Sequence, residues 1–232
     1  MFRYFFIVFL FAGISVFAES EHNSAVSIHF GFFQPDIDNE SGLNTSPYKD
    51  IFGKKGHRFG FDYSLEILSD EYLGTFSLLG GVEYFSVSGF GKYRDNPNEK
   101  SEDKTVLTLL PVNTALVYNL DQFQYLFDFP FVFYAELGVE YSFWWITDGV
   151  GDTVEFDEGK SYGGKKGWYY SLGIKFLLDF FDSDSALNLD NQYGINSSYI
   201  FAEYMSSKVD DFGKEGFRLG GNYWRFGISL IF

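Results

Sequence analysis

The sequence predicts an all-β fold, an eight-stranded antiparallel up-and-down transmembrane β-barrel. Three observations carry that prediction. Eight segments after residue 23 alternate apolar and polar residues with a period of two, the mark of strands whose two faces meet different surroundings. Nearly all charges within those segments fall on the face that also carries Gly and Ser. The chain ends inside its last such segment, on Phe232, with no polar tail behind it.

The opening stretch MFRYFFIVFLFAGISVFAES has one charge (Arg3), an apolar run from Tyr4, and small residues closing on Ala18 ahead of Glu19. This is the layout of a secretory signal, so residues 1–18 are read as a signal peptide and 19–232 as one barrel domain. A retained anchor would need a longer apolar run. Beyond it no apolar run is long enough for a membrane helix, yet aromatic residues make up 22% of the chain. Such a surface needs a solvent other than water.

The formal charge is −15, and losing Arg3 with the signal makes the exported chain one charge more negative. That excess argues against nucleic acid as a partner, because phosphates repel it. With no cysteine, disulfides, thiol catalysis, cysteine-based zinc sites and a lipidated terminal cysteine are excluded.

The predicted strands follow in order. SAVSIHFGFF (24–33) puts Val26, Ile28, Phe30 and Phe32 opposite Ser27, His29 and Gly31. HRFGFDYSLEIL (57–68) sets Phe59, Phe61, Tyr63, Leu65 and Ile67 against Arg58, Gly60, Asp62, Ser64 and Glu66. TFSLLGGVEYFSV (75–87) opposes Phe76, Leu78, Val82 and Tyr84 to Ser77, Gly81 and Glu83. TVLTLLPVNTALVY (105–118) opposes Leu110, Val112, Leu116 and Tyr118 to Asn113 and Ala115, and its Pro111, which cannot donate to a ladder, predicts a bulge. FVFYAELGVEYSFWW (131–145) alternates a seven-member apolar face with Tyr134, Glu136, Gly138, Glu140 and Ser142. A buried carboxylate at such intervals would ruin a sandwich core. GWYYSLGIKFLL (167–178) opposes Trp168 to Leu178 on even positions to Ser171, Gly173 and Lys175. SSYIFAEYM (197–205) is phased with Ile200, Ala202 and Tyr204 on the apolar face and Glu203 opposite. The last strand sets Trp224, Phe226, Ile228, Leu230 and Phe232 against Arg225, Gly227 and Ser229.

Connections after odd strands (34–56, 88–104, 146–166 and 206–218) are mostly long and polar, and those after even strands (69–74, 119–130 and 179–195) are shorter on average, with a helical turn expected over Ser185 to Asn191. Long loops on one rim and short turns on the other are the asymmetry of an outer-membrane barrel, with both termini in the periplasm. A closed barrel satisfies every backbone group in lipid and turns its apolar face outward. A soluble lipid-carrying barrel would need its charges outside. Trp144, Trp145, Trp168 and Trp224 all fall beside long loops and are read as an interfacial aromatic girdle. The terminal pattern Phe226, Ile228, Leu230 and Phe232 resembles the signal read by the barrel-assembly machinery during biogenesis.

Several stretches resemble an outer-membrane β-barrel family first defined from a myxobacterial genome: HFGFFQPDID, LLPVNTALVYNL, GVEYSFWW, GIKFLLDFFDSDSALNLDNQYGINSSYIFAEY and WRFGISLIF. The family pattern has a Pro-Tyr pair at the start of the fifth strand, where this chain has Val132-Phe133-Tyr134 and keeps only the Tyr. The resemblance implies a small barrel of the OmpA/OmpX type in the outer membrane of a Gram-negative-type bacterium. It implies no activity, since such families are defined by architecture.

The polar face gathers Arg58, Asp62, Glu66, Glu83, Glu136, Glu140, Lys175, Glu203 and Arg225. Eight strands enclose an interior that side chains fill, so these residues are expected to form an ion-pair network that plugs the lumen. A charged pore or a carboxylate site for a cation is the competing reading. Catalytic residues, metal ligands and cofactors are not expected. A lipid hydrolase would need a nucleophile beside a histidine, and the chain has only His22, His29 and His57 with no motif selecting a serine. PDIDNESG faintly echoes a calcium loop through Asp36, Asp38 and Glu40 but departs from the full pattern. The lysines of GKKG (53–56) and GGKKG (163–167) stand where they could meet lipopolysaccharide phosphates or simply face water. The expected partners are outer-membrane lipids and lipopolysaccharide, and the expected state is a monomer with a structural or adhesive role.

Overall fold

In the computed structural model, which describes residues 24–39, 45–70, 72–92, 99–153, 161–214 and 216–232, eight strands close into one barrel in sequence order. They are β1 (Ser24–Phe33), β2 (Gly56–Asp70), β3 (Gly74–Lys92), β4 (Lys100–Leu120), β5 (Phe131–Thr147), β6 (Tyr162–Leu177), β7 (Ser197–Val209) and β8 (Gly221–Ile231). Three short helices sit in the connections: α1 (Pro47–Ile51), α2 (Gln122–Phe127) and α3 (Ser183–Tyr193). The predicted signal peptide lies outside the described residues.

Every neighbouring pair is antiparallel, and β1 closes against β8 with Ile28 opposite Ile228 and Gly31 opposite Arg225. Two backbone bonds tie the chain's last residue into that seam, Phe232 N to Ser24 O at 2.8 Å and Ser24 N to Phe232 O at 3.1 Å. No backbone edge is left open there.

Burial is inverted relative to a water-soluble barrel. Ile28, Phe59, Leu78, Leu116, Leu137 and Leu172 point outward, the last two 64% and 59% exposed. Arg58 and Arg225 point inward and are 1% and 2% exposed. This follows from the two-residue repeat, which separates neighbours onto opposite faces of a pleated strand.

The ladder departs from expectation at Pro111. No residue is inserted there: β4 keeps one register against β3 from Leu109 to Val112, and Pro111 pairs with Ser142 of β5. The rungs opposite Glu83 and Tyr84 are missing instead, because proline has no N–H to give to β3. Register shifts occur elsewhere, between Glu66 and Leu68 and between Phe90 and Lys92.

The contrast between rims is carried by strand length as much as by loop length. The upper rim, holding the connections after odd strands, is raised by β3 and β4, whose ladder continues to Lys92 and Lys100. Much of the segment predicted as loop there is therefore strand. At the lower rim β2 and β3 are joined by a tight turn capped by Asp70, which accepts from the N–H of Tyr72 and Leu73, and Gly74 takes φ of 85°. The β6–β7 connection remains long and holds α3, two residues longer at each end than the predicted turn.

At the upper rim α1 folds over the barrel mouth. Asp38 accepts from the backbone N–H of Tyr48 at 2.7 Å and of Lys49 at 3.1 Å, which uses the carboxylate of the faint calcium-loop motif to fix the helix start. Glu40 lies outside the described residues, and Asp36 accepts from the Asn39 side chain. The Ile51 carbonyl seats so closely on Gly89 that a Cβ there has no room. Gly89→Val should push α1 off the mouth, and limited proteolysis of the intact barrel should then cut within 45–55 at least tenfold faster, with barrel stability little changed.

Candidate functional site in the barrel interior

The lumen is built in three tiers. The middle tier is ionic. Arg58 from β2 pairs with Glu83 from β3 and, at 3.1 Å, with Glu140 from β5. Arg225 from β8 pairs with Glu203 from β7 at 2.7 Å and with Glu136 and Glu83 at 3.3 Å each. Glu83 bridges the two guanidinium groups. Around them Ser171 donates to Glu203 at 2.7 Å, Ser142 donates to Glu140, and Tyr223 donates to Glu83 at 3.3 Å. The Arg58 guanidinium also lies over the rings of Phe33 and Tyr223, 4.7 and 5.0 Å from their centroids.

Opposite charges in so dry a site offset each other's desolvation, and losing one partner leaves the rest uncompensated. Six of the nine predicted lumen residues therefore form one cluster. Asp62 is also buried but faces His29, with Nε2 and Oδ2 3.0 Å apart. Lys175 is half-buried lower down, donating to Asn119 at 2.9 Å above the Tyr134 ring. Glu66 stands apart from the cluster, eight residues and roughly 27 Å along β2 from Arg58, where it lines the lower mouth. One strand cannot bring both ends of its polar face into one layer.

The lower tier is a polar vestibule of about 280 Å³ lined by Glu66, Thr75, Ser77, Asn119, Asp121, Gln124 and Lys175 among others. A smaller void of about 30 Å³ continues upward to Asp62, Glu136 and Glu203. Burial pushes the Asp121 carboxyl above its usual range, with a hydrogen bond from Thr75 opposing the shift.

The upper tier is apolar and was not anticipated. Phe33, Phe85, Leu107, Leu109, Met205, Val209 and Tyr223 fill the lumen above the arginines, and Tyr48 and Leu219 close it from the connections. Parity alone could have found the strand members. Phe85 lies two residues after Glu83, Tyr223 two before Arg225, and Phe33 is in phase with His29 and Gly31. The Tyr48 hydroxyl donates to Lys54 O at 2.9 Å, and burial, then the charge of Asp38, push it above its usual range and keep it a neutral donor.

The four tryptophans do not form one girdle. Trp168 and Trp224 face outward, Trp168 stacked with Tyr170 and Trp224 edge-on to Tyr204. Trp145 shares the outward phase of Tyr141 and Phe143. Trp144 is the exception: as the immediate neighbour of Phe143 and Trp145 it shares the phase of Glu140 and Ser142, and it packs inside against Phe217 at 4.9 Å. Consecutive strand residues cannot both face the exterior.

Among the described residues no set of three or more His, Cys, Asp or Glu side chains is arranged to hold a metal ion. His57 lies on the exterior near Phe32 and Phe59. The loop lysines diverge: Lys54 and Lys55 are exposed, Lys165 pairs with Asp211 at 2.9 Å, and Lys166 lies over the Phe212 ring.

Burial would raise the Asp211 carboxyl, but bonds from Lys165 and the Lys166 N–H and the charge of Lys214 outweigh it and hold the group below the usual range. A depressed carboxylate contributes stability while ionised, and that contribution is lost as pH falls through its folded-state value. Acidifying from about pH 5 to about pH 2 should therefore loosen the 210–220 connection. Faster amide exchange in 210–220 at the acid end, absent as a pH effect in Asp211→Asn, is the expected result.

No family model matches the chain, and no curated protein matches it. Among solved structures the chain is similar to Ail, the attachment invasion locus protein of Yersinia pestis, in complex with the heparin analogue sucrose octasulfate, at 15% identity and TM-score 0.48 over 92% of this chain and 100% of that one. It is similar to Neisserial surface protein A at 11% identity and TM-score 0.38, over 90% and 94% of the two chains. It is likewise similar to the N-terminal β-barrel domain of Pseudomonas aeruginosa OprF, at 11% identity and TM-score 0.38 over 90% and 97%.

Proposed function

We propose that this chain is an integral outer-membrane barrel, exported by its signal segment, whose lumen is closed by the arginine–carboxylate cluster and whose role is structural or adhesive through the connections of the upper rim. The inversion of burial carries the reading. A closed sheet that turns leucines and phenylalanines outward and seals guanidinium groups inside suits a hydrocarbon solvent and is unsuited to water. The lower rim, with both ends of the described chain, would face the periplasm, and Trp145, Trp168 and Trp224 would mark the outer interface. Phe226, Ile228 and Leu230, on the strand that closes the barrel, with Phe232 directly after it, would serve recognition by the assembly machinery. We also read the chain as a monomer and as a member of the myxobacterially defined barrel family, the latter on the stretches of sequence that resemble it. We assign no catalytic step to the chain.

Membrane-extracted protein should migrate faster on a gel unheated than boiled, as a folded barrel does, and identical migration would remove the premise. A narrow channel is the second reading, favoured by the polar vestibule that leads up to Glu136 and Glu203. In planar bilayers the plugged barrel should give no discrete conductance steps. Steps that vanish in Glu136→Gln or Glu140→Gln would establish the channel instead.

A further inference from the structure

The upper mouth holds a cavity the plug does not use. It measures about 190 Å³ and is lined by apolar and aromatic side chains, among them Tyr48, Ile51, Trp144, Ile146 and Phe217. One wall is α1 and the turn before it, and the other is the inner face of β4 and β5. Both walls are fixed. Asp38 and Gly89 hold α1 in place, and Phe217 meets Trp144 edge-on. The single polar atom on the lining side chains other than the Trp144 indole, the Tyr48 hydroxyl, is already donating to Lys54. An apolar space whose walls are braced apart loses contacts when empty and gains them from an apolar guest. Its size is below that of ordinary ligand pockets, which limits the guest to a short chain.

The edge of the crevice is cationic although the protein as a whole is acidic. The Lys165 ammonium stands 5.3 Å from the centre of the Phe217 ring, and Asp211 occupies one of its three N–H donors. Lys214 lies close enough to act on the same carboxylate. A guest entering with its apolar end between Ile51 and Ile146 would leave its head beside Lys165. A negative head gains most there, a neutral one gains less because it offers no charge, and a positive one is repelled.

We infer that the upper mouth is a binding site for a small amphiphile with a short aliphatic tail and an anionic head, the tail held between α1 and β4–β5 and the head at Lys165. The inference rests on the geometry of the mouth and is independent of whether the lumen conducts.

Trp144 lines the crevice, and the other three tryptophans face outward. The full barrel in lipid nanodiscs, labelled with 5-fluorotryptophan and assigned with Trp144→Phe, therefore distinguishes binding from partitioning into lipid. Hexanoate should shift the Trp144 resonance saturably and leave Trp145, Trp168 and Trp224 in place. From butanoate to hexanoate each added methylene should tighten binding about fourfold. Hexylamine should not bind, and Lys165→Gln should weaken hexanoate about tenfold, to the level of 1-hexanol. Ile51→Trp, on the connection and outside the barrel wall, should fill the crevice and abolish the Trp144 shift with hexanoate without altering heat-modifiable migration. Shifts confined to the outward tryptophans, equal binding of hexylamine and hexanoate, or hexanoate binding unchanged in both variants would each overturn the assignment. None of these outcomes depends on the conductance result, and failure of the barrel premise itself would show separately, as identical migration on the gel.

Discussion

Methionine in place of Arg225 should lower the unfolding free energy of the barrel by about 3–5 kcal/mol. The guanidinium is 2% exposed and holds three carboxylates, those of Glu83, Glu136 and Glu203, in one dry layer. Methionine fills similar space, so the loss comes from stranding negative charge rather than from a cavity. Arg225→Lys should recover only part of it, because a compact ammonium cannot reach three acceptors set around a planar fork. Glu136→Gln and Glu203→Gln in the Arg225→Met background should restore much of the stability, since the remaining amides tolerate burial far better than anions do. Urea titration in lipid vesicles, followed by tryptophan fluorescence, provides the measurement. A neutral effect of Arg225→Met would mean that water reaches the layer and that the plug is open.

Arginine in place of Leu137 should cost about 2–4 kcal/mol in a bilayer. Leu137 pairs with Leu116 on one side and Tyr170 on the other, midway along β5, and is 64% exposed. On a water-bathed strand the same change would be close to neutral, within about half a kcal/mol. Few substitutions separate the two solvents so cleanly, because the native side chain makes few contacts whose loss could confuse the outcome. Leu172→Arg, on the neighbouring strand, should behave the same way. Unfolding in vesicles against a matched variant of the exposed Lys54 tests it. Indifference at Leu137 and Leu172 would place water outside the barrel and end the membrane reading.

The strands were legible because a period of two is written directly into residue order. β1 coincides with the predicted 24–33, and the phase chosen for the short seventh strand, with Glu203 inward and Ile200 outward, is the phase it adopts. Strand ends were less legible. β3 and β4 run past the predicted ends through 88–92 and 100–104, where the residues, Phe90 apart, are small or polar on both faces, because a hairpin that rises clear of its neighbouring strands meets the same surroundings on each side and has no reason to alternate. The strand members of the apolar upper tier were legible by phase alone and masked by residue type. Phe33, Phe85 and Tyr223 occupy the phase assigned to polar groups, and composition gives no sign that a lumen changes from ionic to oily along its length.

Residue order by itself determined that eight two-faced strands exist, which side of each carries charge, and hence that Arg58, Glu83, Glu136, Glu140, Glu203 and Arg225 share one interior. It could not decide which of those groups touch, because contact depends on the height each reaches once the strands tilt and the barrel closes. That geometry separated Glu66 from Arg58, gave Asp62 to His29, set Phe217 against the inward Trp144, and brought α1 down onto Gly89 to leave the crevice at the mouth. Alternation is a property of one strand, whereas height around a closed barrel is a property of all eight.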